Sequence, residues 1–109
     1  MICRMWQGWT APHDAAAYES YLSAQLFPRV ARELAAHGYR GFQLLRHDGS
    51  DETAFVTLVF FDSLEAVKGF AGDDYERPVI SETAQRLLKR YDAQCRHYEL
   101  RDADGPRGA

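Results

Sequence analysis

Seven residues of this 109-residue chain carry side chains that could act together on a small organic molecule: Arg4, Trp6, Gln43, Thr57, Phe61, Tyr75 and His97. His97 has an unperturbed pKa near working pH, which suits a base drawing a proton from a phenolic substrate. The alternative role is a hydrogen-bonded strand histidine at a subunit interface. Arg4 presents a planar, permanently charged fork suited to an enolate or carboxylate; it can equally pair with Glu99 across neighbouring strands. Tyr75 follows Gly72-Asp73-Asp74 in a loop, where its phenol can serve at a pocket rim or simply pack as part of a lid. Trp6 and Phe61 offer flat faces for stacking on an aromatic ligand, or serve as ordinary interface core. His13, His37 and His47 are scattered over a helix start, a helix end and a strand, with no carboxylate or thiol at ligand spacing, so no metal site is expected among them. Neither a glycine-rich phosphate loop nor a nucleophile elbow occurs.

The elements that must position these side chains follow from periodicity. Residues 2–9 alternate loosely and stop at Thr10-Ala11-Pro12, a first strand. From about 13 to 36, Tyr18, Leu22, Leu26, Val30 and Leu34 recur every four residues, a helical stripe that Gly38 terminates. Pro28 lacks the amide proton for the Ala24 carbonyl, so a kink or a restarted helix is expected there. Strands near 39–48 and 53–62 flank the polar turn "HDGSDE". At Asp62-Ser63 the period changes from two to about 3.6, and either residue can cap a short helix ending before Gly72. A further helix is expected over about 79–91 and a fourth strand over 94–101. The order β-α-β-β-α-β predicts an α+β, ferredoxin-like split sandwich: four antiparallel strands with the helices on one face. Residues 1–102 form its single domain and 103–109 a polar tail expected to fray.

From Phe55 to Phe61 only Thr57 is polar, so the third strand is apolar on both faces. The helices cover one face; a second copy of the chain, packed sheet on sheet, is expected over the other. Parity assigns Cys3, Met5, Phe42, Leu44, Tyr98 and Leu100 to the helices. It leaves Arg4, Trp6, Gln43, Phe55, Thr57, Val59, Phe61 and His97 on the opposite face, an apolar wall with a few convergent polar groups. Cys3 and Cys95 are expected at opposite ends of adjacent strands, beyond the roughly 7 Å that a disulfide can span, hence as free thiols. A net charge of −3 with interspersed signs gives no basic stripe for nucleic acid. The absence of a long apolar run and of a signal-peptide pattern points to a cytoplasmic protein without a membrane segment.

The stretches "RMWQGWT", "GYRGFQLLR", "FVTLVFFDSLEAVKGFAGDDYE" and "HYEL" resemble the antibiotic biosynthesis monooxygenase family over roughly residues 2–101. The resemblance implies a dimeric α/β barrel. It also implies a choice of chemistries, because that superfamily includes cofactor-independent quinone-forming monooxygenases, haem-degrading enzymes and isomerases. Where the haem-degrading branch has an Asn, a Trp and an axial His, this sequence has Arg4, Phe61 and Val79, so haem degradation is not implied. Where the polyketide-oxidising branch uses an Asn, a Trp and a Tyr, Tyr75 can take the tyrosine's part and Trp6 can line the pocket. The expectation is a homodimeric oxygenase acting on an aromatic or polyketide-like compound without cofactor or metal. Its catalytic groups would be His97, Tyr75 and Arg4, with Trp6, Gln43, Thr57 and Phe61 holding the substrate. A non-catalytic ligand-binding or stress-associated dimer of the same fold is the alternative.

Overall fold

A computed structural model describes residues 1–105. Strand β1 (Ile2–Thr10) leads into a helical run interrupted by one wide turn: a 3-10 turn at Pro12–Asp14, α1 (Ala15–Ser20), a π-helical segment (Tyr21–Leu26), α2 (Phe27–Leu34) and a closing 3-10 turn (Ala35–His37). Pro28 lies in the first turn of α2, where a missing amide proton is harmless. The π-helical segment immediately before it absorbs the irregularity, so the helix restarts rather than ends. Gly38 stops it with φ of 97°, and a β-carbon there would lie 2.6 Å from the Ala66 β-carbon.

Strands β2 (Tyr39–Asp48) and β3 (Thr53–Phe61) form the expected hairpin, and β3 pairs antiparallel with β1 along its whole length. Ser63 caps α3 (Leu64–Ala71), accepting from the Ala66 amide at 3.2 Å, while Asp62 pairs instead with Arg40 at 2.6 Å. The sheet order is β2-β3-β1, and the remaining edge of β1 is shared by two short strands, β4 (Leu88–Tyr91) and β5 (Arg96–Glu99). The fold is thus α+β with an antiparallel sheet and its helices on one face.

Here the expected helix over 79–91 requires correction. Only α4 (Glu82–Leu87), capped by Ser81, is helical. Leu88 turns extended, and residues 88–91 pair with Gly8–Thr10. The open edge of β1 offers unpaired amides and carbonyls there, and satisfying them outweighs one more helical turn. The fourth strand is correspondingly split and shorter than 94–101. Leu100 donates to the Met1 carbonyl at 2.8 Å, and no regular element follows among the described residues, of which the expected tail contributes 103–105.

The assignment of faces also requires correction. It holds on β2, where Phe42 stacks on Phe27 of α2 at 4.1 Å. It is inverted on the other strands. Arg4, Gly8 and Thr10 of β1, and Thr53, Phe55, Thr57, Val59 and Phe61 of β3, are buried beneath the helices. Cys3, Met5, Leu58 and Phe60 lie on the helix-free face, as does Tyr98, which pairs with Cys3. Parity assumed that polar residues avoid the covered face. Arg4 and Thr57 are on it because that face encloses a cavity as well as a core. The two cysteines are free and lie on opposite faces. Among the described residues, no helix is long and apolar enough to cross a membrane.

Candidate functional site

The helix-covered face of β1 and β3, the α1–α2 run and the segment leading into α4 enclose a cavity of about 170 Å³. Leu22, Leu26 and Phe27 wall it on the helical side, where the π-helical segment sets the position of Leu22 and Leu26. Trp6 walls the sheet side, its indole N–H donating to the Asp92 carbonyl at 2.8 Å. Gly8 makes room for that indole. A β-carbon at Gly8 would lie 2.8 Å from Leu88 Cδ2 and 3.0 Å from the Trp6 ring.

Arg4 is the central charge. It is 4% exposed and makes no ion pair among the described residues. One terminal nitrogen donates to the Tyr75 carbonyl and, at 3.0 Å, meets His97 Nε2; the other donates to the Arg77 carbonyl at 3.1 Å. The expected alternative partner, Glu99, lies opposite Ile2, whereas His97 is directly opposite Arg4. Burial draws Arg4 below the ordinary guanidinium range, yet an arginine stays protonated in proteins. A guanidinium can only donate, so His97 Nε2 must be the acceptor, and the ring is neutral with its proton on Nδ1. Burial first, and the nearby Arg4 charge second, hold the His97 pKa below its usual value, against a smaller upward pull from Glu76. The His97 and Tyr75 rings meet in a T-shaped pair with centroids 5.1 Å apart.

Two hydroxyls complete the cavity. Tyr18 is 1% exposed, its ring set edge-on to Phe55 at 5.0 Å. Tyr18 lines the cavity, its hydroxyl forms no hydrogen bond among the described residues, and burial raises its pKa further above the phenol range. Thr57, also buried, lines the same space with a hydroxyl likewise lacking a partner there. Ser81, by contrast, is occupied: it caps α4 and meets the Tyr21 hydroxyl at 2.6 Å. Cys95 is buried beside Arg4, and burial raises its thiol pKa more than the guanidinium lowers it.

The expected site residues are therefore divided. Arg4, Trp6 and Thr57 share the cavity. Tyr75 and His97 line a separate open cleft, which shares Cys95 with the cavity, and both contact the Arg4 guanidinium. Phe61 is fully buried in the core against Tyr39 and Phe70. Gln43 lies on the helix-free face, in a groove with Cys3, Leu58 and Phe60. Sequence reasoning missed Tyr18 as a site residue because it fits the helical stripe. A tyrosine in a stripe otherwise built of leucine and valine was the available signal, since its hydroxyl needs a destination. Among the described residues, no group of three or more His, Cys, Asp or Glu side chains is placed to hold a metal.

Compared with solved structures, the chain matches a Bacillus cereus protein described as a candidate antibiotic biosynthesis monooxygenase, with a TM-score of 0.66 at 10% sequence identity. The match covers 98% of this chain and 97% of the other. The chain has the antibiotic biosynthesis monooxygenase fold. Near-complete coverage of both chains means that the likeness extends over the whole fold rather than one part of it. At such low identity the likeness describes the backbone and carries no side-chain chemistry. No family model and no curated protein matches the sequence.

Proposed function

We propose that the protein is a small homodimeric oxygenase that converts an electron-rich aromatic compound without a cofactor. One observation carries the reading: Arg4 is a buried guanidinium lining a largely apolar cavity, held by two carbonyls and a neutral imidazole and neutralised by no carboxylate. Burying a charge without a counter-ion costs several kcal/mol, on the scale of about 3–5 kcal/mol for a broken buried pair. A substrate oxyanion at Arg4 would recover much of that. The hydroxyl of a bound phenol loses its proton, Arg4 stabilises the oxyanion, and the charge spreads to a ring carbon. That carbon reacts with dioxygen to give a hydroperoxide, which collapses to a carbonyl and water. One oxygen atom stays on the ring; the other leaves as water with the two hydrogens the substrate loses. The substrate supplies all four electrons, so no external reductant is required.

His97 has a conditional role in this scheme. Its Nε2 lone pair is held against Arg4. When a substrate oxygen takes over that guanidinium proton, the lone pair is released and can accept the substrate's proton. A non-catalytic binding role is the second reading, and it is favoured by the position of His97 and Tyr75 outside the cavity. Oxygen uptake with a panel of phenols and hydroquinones separates the two. Uptake matching substrate loss, reduced about 10²–10³-fold in Arg4→Gln, supports the oxygenase. Saturable binding without uptake supports the second reading.

The dimer is proposed from the other face of the sheet. Met5, Val56, Leu58 and Phe60 are only half-buried there, and Leu45 and Tyr98 are each 50% exposed. Such a contiguous apolar face suits a subunit interface core. Light scattering should give twice the protomer mass, and Phe60→Lys should return it to one; a wild-type monomer at micromolar concentration refutes the dimer.

A further inference from the structure

We infer that the cavity takes a single-ring organic monoanion bearing a second oxygen para to the first, with the anionic oxygen on Arg4 and the second oxygen on the hydroxyls of Tyr18 and Thr57. The inference rests on reading this cavity as the substrate site and narrows what that site accepts. Size comes first. A cavity of about 150 Å³ lined by apolar side chains holds a benzene ring, and this one, at about 170 Å³, has room for one ring with small substituents and not for three fused rings. Charge comes second. Among the described residues no aspartate or glutamate lines the cavity, whereas Arg4 lies inside it and the exposed Arg29 stands at its edge. An anion is drawn in and a cation repelled.

The third constraint is the placement of the polar groups. Arg4 is opposite Val59 on β3, Trp6 is opposite Thr57, and Tyr18 packs on Phe55. Val59 and Phe55 are four residues apart, roughly 13 Å of strand at the usual rise. Arg4 and the Tyr18 ring therefore meet β3 at points well separated along the strand, with Thr57 between them. Two oxygens on opposite sides of a ring meet both groups; two adjacent oxygens meet only one. Tyr18 is a buried polar side chain lining this space with no protein partner among the described residues, as a hydroxyl reserved for a ligand should be.

The test is calorimetric titration of the intact protein under nitrogen, so that binding is read without turnover. The probes are para-hydroxybenzoate, its ortho isomer, benzoate, para-cresol and anthracene carboxylate. One para-hydroxybenzoate should bind per protomer, with benzoate and the ortho isomer about 2- to 10-fold weaker, the scale of one neutral hydrogen bond. Uncharged para-cresol should be weaker by about 10- to 100-fold, the scale of a charge-assisted contact. Tyr18→Phe should cut the preference for para-hydroxybenzoate over benzoate to what the Thr57 hydroxyl alone supports, while leaving benzoate affinity unchanged; a merely structural tyrosine would weaken both together. Anthracene carboxylate binding as tightly as the single-ring acids overturns the inference, as does para-cresol matching para-hydroxybenzoate or equal losses for both acids in Tyr18→Phe. Single-ring binding without oxygen uptake by any phenol overturns the oxygenase reading alone. Turnover of a tricyclic substrate with no single-ring binding overturns the ligand class alone.

Discussion

Replacing Tyr18 by phenylalanine should make the ligand-free protein more stable, an unusual sign for a substitution at a position 1% exposed. The ring keeps its edge-on contact with Phe55 at 5.0 Å and its place in the core, so no packing is lost. What disappears is a hydroxyl that forms no hydrogen bond among the described residues but is not fully sealed from the cavity, so the cost of a sealed, unpaired hydroxyl is an upper bound here. Burying an unpaired hydroxyl costs about 1–3 kcal/mol on the evidence of protein substitutions. The cavity beside it, about 170 Å³, is wide enough to admit water, which recovers part of that cost. The expected net gain is on the order of 0.5–1 kcal/mol, a rise in midpoint of a few degrees for a domain of this size. Urea unfolding of both proteins without ligand, at matched m-values, measures it directly. A loss of more than about 0.5 kcal/mol would show that the hydroxyl is satisfied in the folded chain, since loss is the usual outcome when a paired group is removed. Gained stability together with lost ligand discrimination is the signature of a group kept for binding at the expense of the fold.

Two further expectations concern the surroundings of the cavity. Ser81→Ala removes both the cap on the Ala84 amide at 3.1 Å and the partner of the Tyr21 hydroxyl at 2.6 Å; a loss of about 2 kcal/mol is expected by chemical denaturation, from a cap worth about 0.5–2 kcal/mol and a hydrogen bond worth about 1 kcal/mol. Acid should weaken the fold through His97, whose folded pKa is held below the unfolded value of about 6.5 by burial and by Arg4. This contribution is complete above the unfolded pKa and is lost as pH falls through the folded one, because the unfolded chain binds the proton more readily. His97→Gln, whose amide oxygen can still accept from Arg4, should flatten that part of the acid slope in a pH series of urea midpoints; an unchanged slope would mean that His97 does not carry it.

Element order was legible in the sequence wherever a change of period was sharp, as at Ser63, and wherever a terminator was local, as at Gly38. The end of α4 was not, because Leu87 and Leu88 read as one apolar pair. Only the open edge of β1, a tertiary fact, separates them into a helical and an extended residue. The membership of the cavity was half legible for a similar reason. Pairing register sets Arg4, Trp6 and Thr57 on one face whichever way that face points, so the set survives an inverted assignment. Tyr75 is brought up by carbonyl contacts from a loop, and Phe61 is withdrawn by its aromatic neighbours, neither of which leaves a trace in spacing.

The inversion of faces has a physical cause that reaches beyond this chain. Placing polar residues on the uncovered side works when the covered side is solid core. It fails when that side encloses a cavity, since a cavity that recognises anything needs buried polar groups. On β3 the helix-covered face reads Thr53, Phe55, Thr57, Val59, Phe61, and the open face reads Ala54, Val56, Leu58, Phe60. The open face is the one with no polar atom at all in its side chains. A central strand that presents no polar side chain on its open face suits the core of a contact with a second copy, with the polar groups of the neighbouring strands, such as Gln43, around it. A face mixing threonines, an arginine and a histidine with large aromatics suits enclosure by the chain's own helices, which can leave a gap where the polar groups converge. On a two-sided apolar strand, then, the polar exceptions mark the side that holds the site.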